Sequence, residues 1–396
     1  MNTEETDVLV VGAGPAGLIA ARDVAARKVN VVALEEHEEI GQPCHCAGLL
    51  SLKGLECLGV PDDGPYVQNK VVGARFYSPS GLSFTVKREK PVASVIERGL
   101  FDKFLAQKAT KAGARIILNT EAKNLERGKE KVIIDAGKNS FRAKLCIDAE
   151  GAFSRIVNAV GLKPVNRDSV LPGLQYDLEN VSIDPRFVEV HTGKKVAPGF
   201  FAWVIPISQS KVRVGLGCKK ANPKELLEEF VRRRFGNEDY LRRGKVRSGL
   251  IITGGPIDKT FSDRFMVVGD AAGQVKPTTG GGVILGGICA SIAGETAVEA
   301  ISSGGCSAQF LSRYENSWKT QLGKDFRTML VARRIMNRLS DQTLDKLFKI
   351  VAKENLQGLF STEGNMDFQS SVLLKLLKKK EILGVLPSFL RALIPF

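Results

Sequence analysis

The chain has 396 residues, 43% of them hydrophobic, and carries 57 Lys plus Arg against 43 Asp plus Glu, a formal charge of +14. That length exceeds what one hydrophobic core supports, so two or three substructures are expected, and seven cysteines, an odd number in so long a chain, exclude a disulfide framework and favour reduced thiols inside a cell. No signal peptide is read ahead of the first apolar run, and no uninterrupted apolar stretch nears the ~18 residues of a spanning helix, so a soluble or membrane-peripheral protein is expected.

Residues 7–36 read as strand, glycine turn, helix and strand. Val8 to Val11 form a continuous apolar run, as in a parallel strand covered on both faces, and Gly12, Gly14 and Gly17 follow at G-x-G-x-x-G spacing. Gly12 permits the tight turn, Gly14 lets the backbone approach a pyrophosphate, and Gly17 lets the helix pack on the strand. A second strand over 30–34 ends at Glu35, roughly 20 residues past the turn, where a carboxylate accepts hydrogen bonds from a ribose 2′-OH. A dinucleotide site is predicted; a purely structural glycine turn is the alternative.

The loop over 40–51 places Cys44, His45 and Cys46 together, which invites a metal. The chain has only three histidines (His37, His45, His191) and no second ligand pair at zinc spacing, so no metal is expected. Cys46 is read instead as lining a cofactor pocket. Over 71–95 short β-prone runs around Pro79-Ser80-Gly81 predict antiparallel strands of a second sheet. Arg98 opens a helix over 99–112, with Leu100, Phe101, Phe104, Leu105 and Ala109 at helical spacing, and stands where a phosphate-facing arginine would help. Strands are predicted over 115–118 and 131–134, then an apolar strand ends in Asp148-Ala149-Glu150-Gly151, with Ser154-Arg155 opening a helix. Short strands and turns fill 165–255 around one basic helix, Pro223–Phe235, and this region is assigned to a substrate-facing sheet. Its aromatic run Phe200, Phe201, Trp203 ends at Pro206; ordinary sheet core is the alternative reading.

The second strong signal covers 264–282. A buried strand over 265–268 delivers Gly269-Asp270 to its carboxyl end, and a helix of small residues follows Gly280-Gly281-Gly282. Asp270 suits a polyol hydroxyl, and the helix N-terminus suits negative charge on a ring carbonyl. Basic clusters at 232–234, 242–247 and 375–380 come without any nucleic-acid module, so no nucleic-acid partner is expected. In the tail, Val372, Leu373, Leu376 and Leu377 fall on one helical face and Lys375, Lys378 and Lys379 on the other, followed by an apolar run over 384–396. Such a helix suits an anionic membrane interface; packing on the body is the equally open alternative.

Gly12, Gly14 and Gly17 with Glu35, Arg98, the 148–151 stretch with Arg155, and Gly269-Asp270 resemble, in that order, the FAD site of the para-hydroxybenzoate-hydroxylase-like flavoproteins over residues 1 to about 310. The resemblance implies an α/β fold: a Rossmann-type FAD-binding domain (1–70, 96–165, 259–310), an inserted antiparallel β-sheet substrate domain (71–95, 166–258) and a C-terminal helical region with an amphipathic basic tail (311–396). It implies that Gly12, Gly14, Ala16, Gly17 and Arg98 hold FAD, with Glu35 on the AMP ribose, the backbone near Ala122 on the adenine and Asp270 on the ribityl chain. The usual Asp-Gly pair reads Glu150-Gly151 here, a departure from the family pattern.

Three further details are similar to the geranylgeranyl reductase branch: Pro43-x-x-Cys46-Ala47-Gly48-Leu49, the Trp203-x-x-Pro206 run followed by Val214-Gly215-x-Gly217, and Lys276-Pro277-Thr278-Thr279 before the three glycines. That resemblance implies an FAD-dependent reductase that saturates prenyl chains of membrane lipid precursors, with Cys46, Ala47, Gly282 and Val283 on the flavin and Phe201 and Trp203 lining a prenyl tunnel. Cys46 and His45 are the candidate proton donors, with water as the alternative. A single dinucleotide fingerprint implies a transient electron donor, NAD(P)H or a ferredoxin-like protein, and a lipid substrate implies a cytoplasmic protein peripheral to the inner face of the cell membrane. The competing reading is an aromatic hydroxylase or halogenase, because Phe201-x-Trp203-x-Ile205-Pro206 resembles the halogenase W-x-W-x-I-P run with its first Trp replaced.

Overall fold

The computed structural model describes residues 2–236, 241–354, 356–377, 379, 382 and 385. The chain forms two compact units, each assembled from three stretches: Met1–Cys44, Arg98–Ser169 and Gly254–Phe326 in the first, His45–Glu97, Val170–Thr253 and Arg327–Phe396 in the second. Residues 45–70, grouped with the first FAD-binding segment by sequence, fall in the second unit. The physical reason is a strand ladder: Leu49–Ser51 and Val67–Val71 both pair with Ala93–Ile96.

The first unit is a sheet in the order Phe261–Ser262, Phe265–Val267, Asn139–Asp148, Asn2–Val11, Val31–Leu34, Arg115–Ile117, with Val132–Ala136 and Asn124–Arg127 branching from its third strand. Asn2–Val11 runs parallel to both neighbours, and Asn139–Asp148 runs parallel to Phe265–Val267. Val8 to Val11 and Val31 to Leu34 are buried throughout, as strands covered on both faces must be. Helices Pro15–Ala25 and Val283–Ser303 pack together there: a Cβ on Gly294 would lie 3.1 Å from the Ala20 carbonyl, and Ser291 Oγ donates to Asp23 at 2.6 Å. Val283–Ser303 is, by length and mean composition, apolar enough to cross a membrane, although Glu295, Thr296 and Glu299 interrupt it, so that it is no uninterrupted apolar stretch. Two thirds of its apolar window is buried in the protein, the property of a core helix.

The helix expected to open at Ser154-Arg155 does not form; only a short 3₁₀ turn, Asn158–Val160, follows. Glu150 accepts from Arg155 N at 3.0 Å and Ile156 N at 3.3 Å, and Ser154 Oγ from Val157 N at 3.2 Å, as at a helix start, but Gly161 turns into the left-handed region at φ +77° and ends the segment after that single turn. Ser154 Oγ stands 2.7 Å from the Glu150 carboxylate and 2.6 Å from that of Asp148.

The second unit is built on a sheet in the order Arg242–Arg243, Val170–Glu179, Lys211–Gly217, Phe201–Pro206, Phe187–Thr192, Gly73–Tyr77, Ser83–Lys87, with Arg247–Ile252 also on Val170–Glu179. Its described pairings are antiparallel except Phe187–Thr192 against Gly73–Tyr77. The strands expected over 71–95 therefore divide between this sheet and the three-stranded one. Helix Pro223–Phe235 is capped by Asn222, whose side chain accepts from Lys224 N, and starts with Pro223 at its first position. Its Leu227, Phe230 and Val231 meet Leu178, Val204, Val214 and Leu216 in one apolar core. Each such side chain removed from water contributes about 1.5–3 kcal/mol, which pins the register of the strands that share it.

Toward the C-terminus, Ile335, Leu339, Leu344, Val351, Leu356, Ile382 and Val385 form a separate cluster, with Leu376 against it. Val372 is also buried, and Lys375 pairs with Glu363. The expected tail face thus packs inward at Val372 and Leu376. The Leu377 side chain, Lys378 and residues 386–396 lie outside the described residues. All seven cysteines are free thiols.

Candidate active site

Three glycines in the first unit do different work. Gly12 has φ +97°, and a Cβ there would stand 2.4 Å from the Ala149 carbonyl oxygen; a Cβ on Gly17 would stand 1.9 Å from the Gly12 carbonyl oxygen. Both are therefore required by the protein's own packing. Gly14 differs, because a Cβ there would meet nothing within 4 Å. Its open side adjoins the start of helix Pro15–Ala25, whose first-turn amides have no intrahelical acceptor and no side-chain cap. Ala16 lies in that turn; a Cβ built on Gly269 would stand 2.8 Å from the Ala16 Cβ, so the helix start and the Gly269-Asp270 turn are close neighbours.

Glu35 Oε2 accepts from Ala13 N at 2.9 Å, and its Oε1 accepts from His37 N at 3.1 Å and lies 2.6 Å from His37 Nδ1. The carboxylate is thus fixed at the glycine turn with lone pairs left for a hydroxyl. His37 was not singled out by sequence. Ala122 is buried between strands rather than within one, and the loop before it is tied to Glu35 through Thr120 N donating to the Glu35 carbonyl at 2.8 Å.

Asp270 occupies a 3₁₀ turn, Gly269–Ala272, whose shape is set by a buried chain: Gly269 N to Gln274 Oε1 at 2.9 Å, Gln274 Nε2 to Tyr314 OH at 2.8 Å, and Tyr314 OH to the Val267 carbonyl at 2.8 Å. Burial raises the Asp270 pKa and the charge of Arg98 opposes that rise, so the two side chains share one electrostatic environment. Arg98 is itself oriented by Asp102, with Nε to Oδ1 at 2.7 Å. A Cβ on Gly282 would lie 2.6 Å from Asp270 Oδ1, and helix Val283–Ser303 starts there with no side-chain cap. The fully buried Asp148 holds its proton far above the usual carboxylate range, first from burial and then from the neighbouring Glu150 charge. Two uncapped helix starts supply donors for phosphates, an open glycine gives them room, and the Glu35 carboxylate at the strand end and Asp270 supply acceptors for hydroxyls, the set that a dinucleotide requires.

His45, Cys46, Ala47, Phe201 and Trp203 lie in the second unit. Three consecutive carbonyls of the cysteine loop are held by two strands. Gln175 Nε2 donates to His45 O at 3.1 Å and to Cys46 O at 2.9 Å, and Arg213 Nη1 donates to Ala47 O at 3.0 Å. Arg213 is 2% exposed and is neutralised by Asp177, Nε to Oδ1 at 2.9 Å. Gly48 must be glycine for this arrangement, since it has φ +71° and its Cβ would fall 2.4 Å from Ile96 O and 2.8 Å from Arg213 Nη1. Gly48 N donates to Cys46 Sγ at 3.3 Å. His45 is exposed and packs over Gly249, where a Cβ would lie 2.9 Å from its own.

Trp203, Gly215 and Gln175 form one cross-strand row, and a Cβ on Gly215 would come within 2.6 Å of both flanking side chains. Gly215 therefore lets the indole and the carboxamide close over it. Phe201 stacks on Phe200 with centroids 4.2 Å apart and meets Trp203 edge-on at 6.1 Å. Gln175 Oε1 and Trp203 Nε1 are buried with no hydrogen-bond partner among the described residues. Gln175 and Arg213 were missed by sequence; the available signal was a polar residue at an inward position of an apolar strand.

A family model described as "FAD binding domain" matches residues 5–316. The chain is 36% identical over 364 residues to the digeranylgeranylglycerophospholipid reductase of Methanocaldococcus jannaschii, covering 89% of this chain and 92% of the relative. It is 34% identical over 398 residues to the enzyme of that name from Methanosarcina acetivorans, covering 93% and 96%. A solved geranylgeranyl bacteriochlorophyll reductase-like structure from Thermoplasma acidophilum superposes with a TM-score of 0.87 at 30% identity, covering 98% of this chain and 100% of that one. A flavin-dependent brominase reaches a TM-score of 0.70 at 17% identity, covering 96% and 99%, which is a likeness of fold alone. The chain belongs to the FAD-binding domain family and, within it, to the family of the digeranylgeranylglycerophospholipid reductases.

Proposed function

We propose that this chain is an FAD-dependent reductase that saturates the C=C bonds of geranylgeranyl chains on glycerophospholipids. One observation carries the reading: identity to reductases of that name extends over 93% of the chain, through the substrate sheet as well as the FAD-binding unit. The halogenase reading has only fold likeness behind it, at 17% identity.

When bound, FAD in its reduced form supplies a hydride to one alkene carbon. The chain's residues do the rest. Gly14 and the first turn of Pro15–Ala25 receive the pyrophosphate, Glu35 the ribose, and Asp270 with Gly282 and Val283 the ribityl and ring end. Gln175 and Arg213 fix the loop that carries Cys46. The Cys46 thiol gives its proton to the second alkene carbon, a C–H bond forming as the S–H bond breaks, and the Gly48 amide stabilises the thiolate left behind until solvent reprotonates it. His45 is the second candidate for that proton. Phe201 and Trp203 present an apolar wall that keeps water from the double bond.

The reducing equivalents come from a transient donor, NAD(P)H or a ferredoxin-like protein, and the chain works at an anionic membrane surface on the cytoplasmic side, reached through its basic tail. Support for the membrane contact is the charge pattern at Lys375 to Lys380 and the apolar run beyond it. Incubating the FAD-loaded protein with a digeranylgeranylglycerophospholipid and a chemical reductant tests the activity: the lipid gains two hydrogens per bond reduced, and an unchanged lipid mass refutes it. Removal of residues 386–396 weakens co-sedimentation with anionic liposomes and charge reversal at Lys378, Lys379 and Lys380 in addition abolishes it; sedimentation unchanged by both refutes the membrane contact.

A further inference from the structure

Arg333 stands on the helix Ala308–Arg338 and is buried, at 6% exposure, against the start of strand Phe201–Pro206. Its guanidinium carbon is 4.6 Å from the centroid of Phe200, and Nη2 donates to the Gly199 carbonyl. Its Nε is buried and has no partner among the described residues. Burying a cation away from an anion is costly, and this chain elsewhere avoids it: Arg213, just as buried, is paired with Asp177, and Arg234 is paired with Glu189. Among the described residues no carboxylate pairs with Arg333, and burial alone lowers its pKa to about 10 with no acidic neighbour opposing the shift. Asp341, the carboxylate at the adjoining turn, is occupied by the Lys194 amide at 3.1 Å and 3.3 Å.

The surroundings are basic. Lys194 and Lys195 are exposed on the turn before Gly199, and Lys219 closes on that glycine, where a Cβ would lie 2.9 Å from the Lys219 Cβ. Phe200, under the guanidinium, stacks in turn on Phe201. An oxyanion at Arg333 would thus be one aromatic ring removed from the wall assigned to the prenyl chain.

We propose that Arg333 is the centre of an oxyanion site that takes a phosphate, its unclaimed Nε–H and the lysine rim supplying the donors. The inference rests on the proposed reductase function for its reason, because a glycerophospholipid carries such a phosphate next to its prenyl chains. A buried guanidinium offers planar, charge-assisted hydrogen bonds to phosphate oxygens that a neutral lipid cannot use.

The test is equilibrium binding to the FAD-loaded protein, read by tryptophan fluorescence, of three probes: a short-chain saturated dialkylglycerol phosphate, its dephosphorylated parent, and inorganic phosphate. Saturated chains keep this readout independent of turnover. The wild type is expected to prefer the phosphorylated lipid by about tenfold or more, Arg333→Gln to lose that preference while binding the parent unchanged, and Arg333→Lys to recover part of it. Inorganic phosphate bound alone with the same dependence on Arg333 assigns the site to free phosphate rather than the headgroup. No preference in the wild type overturns the proposal even if the Gln variant fails to fold. So does a preference that survives Arg333→Gln, or an equal loss with both lipids. A phosphate preference combined with no reduction of an unsaturated lipid would instead overturn the reductase function and leave the anion site standing.

Discussion

Gln175 holds Cys46 by its backbone, Nε2 to the Cys46 carbonyl at 2.9 Å, and the same amide nitrogen reaches the His45 carbonyl at 3.1 Å. The sheet, rather than the loop's own turn, therefore decides where the thiol stands. Arg213, one strand over, extends the grip to Ala47.

Replacing Gln175 by methionine keeps the volume and removes the donor. The expected result is a loss of about 1–3 kcal/mol in stability and a Cys46 whose alkylation rate departs from that of the wild type. Peptide-resolved alkylation with a limiting maleimide separates Cys46 from the exposed Cys57. Unaltered Cys46 kinetics would mean that the carboxamide only fills space.

The three glycines of the turn separate protein packing from ligand contact. Gly17→Ala places a methyl 1.9 Å from a backbone oxygen and should lower the melting temperature of the apoprotein markedly. Gly14→Ala meets no protein atom within 4 Å, so the apoprotein should melt as the wild type does while the flavin content after purification falls. Full flavin retention by Gly14→Ala would move the pyrophosphate away from this turn.

Glu189 gives the second unit a pH signature. Burial alone would raise its pKa, but hydrogen bonds and charge from Arg234 and His191 outweigh that and hold it down at about 2. The unfolded carboxylate titrates near 4.5. The stability this group contributes is therefore present above that value and is lost as the pH falls toward 2, on the order of 3 kcal/mol in all. In urea titrations Glu189→Gln should be less stable near neutrality and show a flatter decline between about pH 5 and pH 2. An equally steep decline in the variant would assign the acid sensitivity to other carboxylates.

What could be read from sequence was what is contiguous. The glycine turn, Glu35 and Gly269-Asp270 each declare themselves within a few residues, and helix Pro223–Phe235 has the bounds expected from the sequence, its ends marked by Asn222 and Gly236. Long-range pairing was not legible. Gln175 lies 129 residues from Cys46 and Arg213 lies 166 from Ala47, so neither could be attached to the cysteine loop before the sheet was known. The helix expected at Ser154 is missing because the left-handed turn at Gly161 closes the segment after one 3₁₀ turn, leaving too few residues for an α-helix to propagate.

The most direct test of the central claim is anaerobic. The purified FAD-loaded protein is reduced with dithionite, excess reductant is removed, a geranylgeranyl glycerophospholipid is added, and the flavin spectrum is followed alongside the lipid mass. The expected result is reoxidation of the flavin in step with the gain of two hydrogens per flavin by the lipid. A flavin that stays reduced until oxygen is admitted, with the lipid unchanged, would contradict the account and turn attention to oxygen chemistry on the same fold.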